Sequence, residues 1–194
     1  QVGFRRREVD PDTNKHWYYK MLQFDILREN VDLKSELDTV RVGVLDTEIG
    51  PHDYLNYDEE DSTTFDPTTE VEQANIDYQH GTSVAGIIGA DYNPNNKIQG
   101  LAPNAELVIL ATGLNLEDIS GAGAPVDYAK GETINISGNL YQISESVDIL
   151  NISQRIDGGT PENQPTVEDR LQSAVEEENM IVTAAVGNLD YNGI

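Results

Sequence analysis

Cysteine is absent from this 194-residue chain, and basic residues are scarce. Without cysteine there is no disulfide, no thiolate metal ligand and no cysteine nucleophile. The chain has 12 lysines and arginines against 35 aspartates and glutamates, so its formal net charge is −23. A charge of this sign repels phosphate backbones and anionic lipids, which argues against nucleic acid or a membrane surface as a partner. It is equally typical of a solubility trait, for example in a high-salt habitat.

Long hydrophobic runs are missing as well. No apolar stretch reaches the roughly 18–20 residues that a helix needs to span a bilayer, so no membrane span is predicted. Hydrophobic residues make up 38% of the chain, enough to fill one sizeable core. We therefore predict a single domain over residues 1–194, with residues 1–16 as a polar amino-terminal arm.

Short apolar, β-branched segments alternate with segments of helical character. Buried strands are predicted at Val40–Leu45, Leu107–Ala111, Val147–Ser153 and, in the segment "MIVTAAV", near the end of the chain. One helix is predicted at "HGTSVAGIIGA", and another follows the capping residue Thr166. This alternation predicts an α/β fold with a largely parallel central sheet and helices on both faces.

Two stretches carry weaker signals. Residues 53–79 contain little apolar sequence and are predicted as a long exposed connection. Within it, the run "DEED", Asp58–Asp61, is interpreted as a solvated loop, with attraction of basic substrate side chains as the alternative. Residues 114–146 mix glycines with polar residues, and we predict only a short helix just before Val147.

Three polar residues stand at strand ends or at a helix start. Asp46 follows the first predicted strand, His80 opens a helix, and Asn188 follows the last predicted strand. In an open parallel sheet such positions converge at one edge, although they are distant in sequence. A carboxylate that orients an imidazole, the imidazole as base and an amide donor for an oxyanion are the groups that acyl transfer requires.

The segments around these residues resemble the subtilisin-like serine peptidases. "VRVGVLDTEIG" is similar to their aspartate motif, "HGTSVAG" to their histidine motif, and "GLAPNAELVIL" to the strand that follows it. "VDILNIS" resembles their substrate-lining strand, and "IVTAAVGN" the segment that ends in the oxyanion asparagine. The matches occur in the family's order and extend from about Trp17 to Asn188.

The resemblance implies a triad of Asp46, His80 and a serine, with Asn188 as oxyanion donor. "GTSVA" alone is similar to the family's serine motif, but His80 directly before it assigns the segment to the histidine motif, so Ser83 is not expected to be the nucleophile. In the family the serine lies well beyond the asparagine. The printed sequence ends at Ile194, so the predicted fold is incomplete at its carboxyl end. The serine is expected from the missing carboxyl-terminal part of the catalytic domain, in the same or a second chain.

Two positions depart from the family's pattern. Glu48 replaces the glycine that usually follows Asp-[Ser/Thr], which adds a carboxylate beside the predicted triad. Ser153, Gln154 and Arg155 stand where the family has Ser-x-Gly, so we expect them to contact substrate, with a long cation in place of a glycine. Such an arginine could clash with an extended peptide, select acidic residues or turn to solvent.

Other candidates carry less weight. His52 in "GPHDYL" is interpreted as a structural or surface residue. Asp91, Asn93 and Asn95 lie in a loop where several family members bind a structural calcium ion, and their oxygens could do so here, although such turns usually need no metal. No other cofactor is expected to be required.

The resemblance thus implies that the complete protein is a secreted or cell-surface serine endopeptidase, which hydrolyses peptide bonds in peptide or protein substrates. The alternative is a catalytically inactive pseudopeptidase that serves as a peptide-binding or regulatory module. The serine in the whole protein distinguishes the two, because only the peptidase needs it.

Overall fold

The computed structural model describes residues 39–46, 49–50, 52–65, 74–91, 100–112, 123–136, 138–153 and 167–185. All of them belong to one compact unit, Thr39–Ile194. The predicted arm at residues 1–16 lies outside these ranges, so the single-domain assignment over residues 1–194 stays a prediction.

Strands and helices alternate along most of the described chain. The elements are β1 (Arg41–Asp46), β2 (Thr63–Thr64), α1 (Ala74–Gly89), β3 (Glu106–Ala111), α2 (Ala124–Ala129), β4 (Ile134–Ile136), β5 (Asn139–Tyr141), β6 (Ile149–Ile152), α3 (Val167–Glu176) and β7 (Ile181–Ala184).

A parallel sheet with the strand order β2-β3-β1-β6-β7 forms the centre of the fold. β1 is the middle strand, and every one of its residues is buried, as expected for a strand covered on both faces. The predicted α/β class is confirmed, and all the predicted strands are present within one to two residues of their expected ends. Because the central strands are parallel, their carboxyl ends lie along one edge of the sheet.

Helices cover both faces of this sheet. On one face, Val42 and Val44 of β1 pack with Ala85 of α1. On the other face, Leu45 packs in a cluster that includes Ala174 of α3 and residues of α2. The alternation along β1 follows from the period of two of a strand, and it assigns Asp46 to the same face as Val42 and Val44.

Helix α1 begins at Ala74, not at His80. The prediction that His80 opens the helix is wrong, because residues 74–79 already form its first turns. Its carboxyl end is held by the returning chain: Gly100 N–H donates to Ala90 O at 2.8 Å, and the next two residues donate to carbonyls of the last helical turn. A Cβ on Gly100 would lie 2.5–2.6 Å from main-chain atoms of residues 88–90, so only glycine allows this approach.

Helix α3 follows Thr166, as the sequence predicts. It ends through Asn179, whose φ of 55° is in the left-handed region. Met180 N–H then donates to Ala174 O at 3.0 Å, a closure typical of helix ends with glycine or asparagine after the last turn. This turn leads the chain directly into β7.

The loop that contains "DEED" is not fully solvated, and the prediction for Asp58–Asp61 is wrong for its ends. Arg41, at the first position of β1, is 6% exposed and lies against three carboxylates. Its guanidinium contacts Asp61 at 2.6 Å, Glu106 at 3.0 Å and Asp58 at 3.1 Å. Glu59 and Glu60 remain exposed. The loop is therefore fixed to the sheet by an internal cation that lies 20 residues or fewer before it.

Asp61 stays ionised in this buried position. Burial raises its pKa, but hydrogen bonds from the hydroxyl and main-chain N–H of Ser144, together with Arg41, outweigh burial and hold the pKa below 3.8. Its carbonyl oxygen also accepts the hydroxyl of Tyr128 at 3.0 Å. Burial and the nearby carboxylates, that of Asp61 first, raise the pKa of Tyr128 to about 12. The cluster thus joins the loop, β1 and α2.

The region before Val147 differs from its prediction. The helix observed there, α2, ends at Ala129, and an antiparallel hairpin of β4 and β5 follows it. The prediction of a helix just before Val147 is therefore wrong. The β-branched residues of "TINIS" favour the hairpin, and Ile134 faces the core while Leu140 on β5 is 72% exposed.

Candidate active site

Asp46 is the last residue of β1 and lies at the carboxyl edge of the sheet. It is fully buried. Its carbonyl oxygen accepts two hydrogen bonds from Thr112, from the main-chain N–H at 3.0 Å and from the hydroxyl at 3.3 Å. The neighbouring strand therefore fixes the main chain of Asp46 from one side.

His80 lies within α1, on the stripe that faces the sheet. Val84 and Ile88 follow it at spacings of four residues, and both pack against the apolar cluster on this face. Residues at this spacing share one side of a helix. His80 is the member of the stripe nearest the carboxyl edge of the sheet, and its side chain is 60% exposed.

The structure brings Asp46 and His80 into direct contact. Nδ1 of His80 lies 2.8 Å from Oδ1 of Asp46 and 3.1 Å from Oδ2. A carboxylate accepts but cannot donate, so in this pair the imidazole proton belongs on Nδ1. Nε2 then carries the lone pair, on a ring that is largely open to solvent. A buried carboxylate thus orients a base whose second nitrogen is available for proton transfer.

A third residue ties the helix to the loop after β1. Thr82 accepts a hydrogen bond at its hydroxyl from the main-chain N–H of Gly50, at 3.1 Å. No role for Thr82 or for Thr112 was predicted from the sequence. The signal for Thr112 was present, because it directly follows β3 just as Asp46 ends β1, and the ends of neighbouring parallel strands meet.

Ser153 lies beside β1 at the same edge. Its main-chain N–H donates to Leu45 O at 3.2 Å, and its hydroxyl accepts the side-chain amide of Asn151 at 2.7 Å. Asn151 in turn accepts the hydroxyl of Thr183 on β7 at 3.0 Å. Ser153 thus follows β6 next to the strand that ends in Asp46.

Several predicted site residues fall outside the described ranges: Asn188, Gln154, Arg155 and Glu48. Their roles stay predictions. His52 is on the surface, with its ring against the edge of Tyr54 at a centroid distance of 5.6 Å.

Of the three residues predicted as possible calcium ligands, only Asp91 is described; it is exposed and donates its main-chain N–H to Tyr54 O at 2.8 Å. Asn93 and Asn95 lie outside the described ranges. Within the part of the chain that the structure describes, no group of three or more histidine or acidic side chains is arranged to hold a metal ion.

The chain is similar in sequence to several proteins that are named as proteases or proteinases. Over 172 residues the chain is 31% identical to the PII-type proteinase of Lacticaseibacillus paracasei, which covers 87% of this chain and 8% of that protein. It is 29% identical to the minor extracellular protease Epr of Bacillus subtilis, over 79% of this chain and 20% of that protein. It is 32% identical to an intracellular serine protease of Paenibacillus polymyxa, over 75% of this chain and 41% of that protein. The chain therefore spans less than half the length of each of these relatives, from 8% to 41%.

Solved structures agree on the fold. MycP1 with its propeptide removed matches with a TM-score of 0.58 at 21% identity, over 89% of this chain and 49% of that one. MycP1 from Mycobacterium smegmatis gives the same score at 17% identity, over 95% and 50%. The sequence profile of the Subtilase family matches residues 38–193, which include the buried aspartate and its histidine. This chain belongs to the subtilase family.

Proposed function

We propose that this chain is part of a subtilisin-type serine endopeptidase, and that Asp46 and His80 are two members of its triad. The observation that carries the proposal is the 2.8 Å contact between Nδ1 of His80 and the fully buried carboxylate of Asp46. This pairing directs Nε2 outward as the base. The named proteases among the relatives support the same activity.

In this proposal a serine outside the chain attacks the peptide carbonyl. Nε2 of His80 takes the hydroxyl proton as the Oγ–C bond forms, and Asp46 stabilises the imidazolium. The side-chain amide of Asn188 donates to the oxyanion. The C–N bond breaks as His80 gives its proton to the leaving amine, which leaves the acyl group on the serine. Water then attacks this acyl group with His80 again as the base, and the bond to Oγ breaks to release the acid and restore the serine. Ser153, Gln154 and Arg155 contact the substrate.

The edge of the sheet supports a contribution from outside the chain. β7 is the last strand of the described sheet, and Ile181 on it is 59% exposed. Strands of parallel sheets are ordinarily covered on both faces. We propose that the missing carboxyl-terminal part of the catalytic domain, in the same or a second chain, covers β7 and supplies the serine.

A fluorophosphonate probe tests this function in the intact protein. We expect the wild-type protein to be labelled on one serine, which mass spectrometry locates outside residues 1–194. His80→Ala should abolish labelling, because no base remains to activate the serine. His52→Ala, which removes an exposed histidine, and Ser83→Ala should leave it intact. Absence of labelling in the wild type, with peptide binding retained, would instead establish the pseudopeptidase alternative.

Location and calcium belong to the same proposal. We propose a secreted or cell-surface protein; one relative is named as extracellular and another as intracellular. Among the described residues no helix is long and apolar enough to cross a membrane.

Calcium at Asp91, Asn93 and Asn95 would stabilise a loop and take no part in the reaction. Calorimetric titration with CaCl₂, compared with Asp91→Ala, tests it; unchanged binding in the variant would contradict this site.

A further inference from the structure

The lysine and arginine side chains in the described part of the chain are mostly buried and form ion pairs within the fold. Its basic residues are Arg41, Lys130 and Arg170, and their side chains are 8%, 6% and 17% exposed. Each lies in ion pairs with carboxylates of the same unit. No lysine or arginine among the described residues is therefore presented to solvent as an exposed charge.

Lys130 and Arg170 both serve the contact between α2 and α3. Lys130 pairs with Glu132 at 2.7 Å and Asp127 at 3.6 Å, and it donates to the hydroxyl of Ser173 at 3.2 Å. Arg170 pairs with the second carboxylate oxygen of Asp127. These two cations thus hold one helix against the other, as Arg41 holds the loop against the sheet.

The exposed charged side chains within the described ranges are carboxylates. Glu59 and Glu60 lie on the loop before β2, and neither makes an ion pair with a described residue. Helix α3 has Glu168 in its first turn and no basic residue in its last turn. Glu176, Glu177 and Glu178 follow one another at its carboxyl end, where the helix dipole favours cations instead. No lysine or arginine of the described ranges pairs with these glutamates, so their mutual repulsion is not offset within this part of the chain.

Dissolved salt acts differently on these two sets of charges. Buried ion pairs are screened little, whereas exposed charges lose most of their interaction once the Debye length falls below their separation. That length is about 30 Å at 10 mM and about 3 Å at 1 M ionic strength. Among the described residues the attractive pairs are internal and the like charges are external, so added salt should weaken the repulsion between them and leave the attraction nearly intact.

We infer that the fold is stabilised by ionic strength, with dissolved monovalent cations screening a surface that carries carboxylates and no exposed lysine or arginine among its described residues. The inference goes beyond the proposed peptidase activity and does not depend on it. It requires no bound ion at any single position, because screening is a property of the whole surface.

Thermal unfolding of the full chain, followed by circular dichroism in EDTA, tests this inference. From 10 mM to 1 M NaCl the midpoint should rise by roughly 5 °C or more, and a shift of 5 °C corresponds to about 1–2.5 kcal/mol for a chain of this size. KCl at equal ionic strength should give the same curve. Sorbitol at equal osmolality controls for solute exclusion and should give a smaller rise at these concentrations.

A variant separates surface repulsion from other salt effects. Glu59→Gln, Glu60→Gln and Glu178→Gln together should raise the midpoint at 10 mM NaCl and reduce its dependence on salt. Asn139→Gln, an exchange of neutral side chains at an exposed position, should leave the dependence unchanged. A midpoint that is flat or falls with NaCl, or a triple variant with the full salt response, would overturn the inference.

Discussion

Replacing Arg41 by methionine should destabilise the fold strongly, because it leaves a carboxylate buried without its cation. Asp61 is 4% exposed and lies 2.6 Å from the guanidinium. Breaking a buried pair by removing one partner costs about 3–5 kcal/mol. Asp58 and Glu106 are more exposed, 23% and 41%, so their pairs add at most about 1 kcal/mol each. We expect the free energy of unfolding to fall by roughly 3–7 kcal/mol, most of it from the loss of the buried pair.

The pH dependence of this loss identifies its cause. In the wild-type chain the pKa of Asp61 lies below its unfolded value of 3.8, so the ionised carboxylate stabilises the fold above that pH. This contribution is lost as the pH falls from 3.8 through the folded-state pKa. In Arg41→Met, protonation of Asp61 removes an uncompensated buried charge. The difference between the two proteins should therefore be largest near pH 7 and shrink in acid.

Urea unfolding followed by circular dichroism between pH 3 and pH 7 measures both effects. Glu106→Gln is the matched control, since it removes a partner of Arg41 whose side chain is 41% exposed, and it should cost about 1 kcal/mol or less. A loss below 1 kcal/mol in Arg41→Met, or one that does not change with pH, would refute this account of the cluster.

Further substitutions test the packing and the site. Leu150 is fully buried, so Leu150→Ala should lower the free energy of unfolding in urea by about 2–5 kcal/mol. Leu140 is 72% exposed, so Leu140→Ala should lower it by less than about 0.5 kcal/mol. Equal losses would contradict the assigned core. Gly86→Ala should raise the free energy of unfolding by about 0.5–1 kcal/mol, because its new Cβ meets no atom within 4 Å. Gly100→Ala should lower it by far more, because its Cβ would lie against main-chain atoms of residues 88–90. The reverse order would disprove the close approach at Gly100. Thr82→Val should cost about 1 kcal/mol, since a main-chain N–H of the loop after β1 loses its acceptor, and it should slow fluorophosphonate labelling of the intact protein; unchanged stability and labelling would show that this bond does not matter.

The sequence predicted the sheet better than the segments around it. Strands such as Leu107–Ala111 are recognisable because a parallel strand that is buried on both faces favours an uninterrupted apolar run. The burial of Asp61 was not predictable in this way. Its environment depends on Arg41 and on Ser144, which lies 83 residues further along the chain, and neither leaves a local signal near "DEED".

The candidate site was likewise predicted from the sequence only in part. The contact between Asp46 and His80 was expected from the rule that strand ends meet at one edge, combined with the family resemblance. The start of α1 at Ala74 was missed because apolar and polar residues alternate in "ANIDYQ" before His80, which is not the apolar period of a helix. Thr112 was missed because its contribution is a pair of hydrogen bonds to the main chain of Asp46, which a motif does not record.

The proposed triad is tested most directly by Asp46→Asn in the intact protein, with kcat/KM measured on a peptide substrate. An amide cannot replace the carboxylate that fixes the imidazole proton on Nδ1. We expect a loss on the order of 10⁴-fold, the size known for serine peptidases that lose the aspartate of their triad. A loss of less than tenfold, in a variant whose unfolding midpoint is unchanged, would contradict the assignment of Asp46 and His80 to the catalytic machinery.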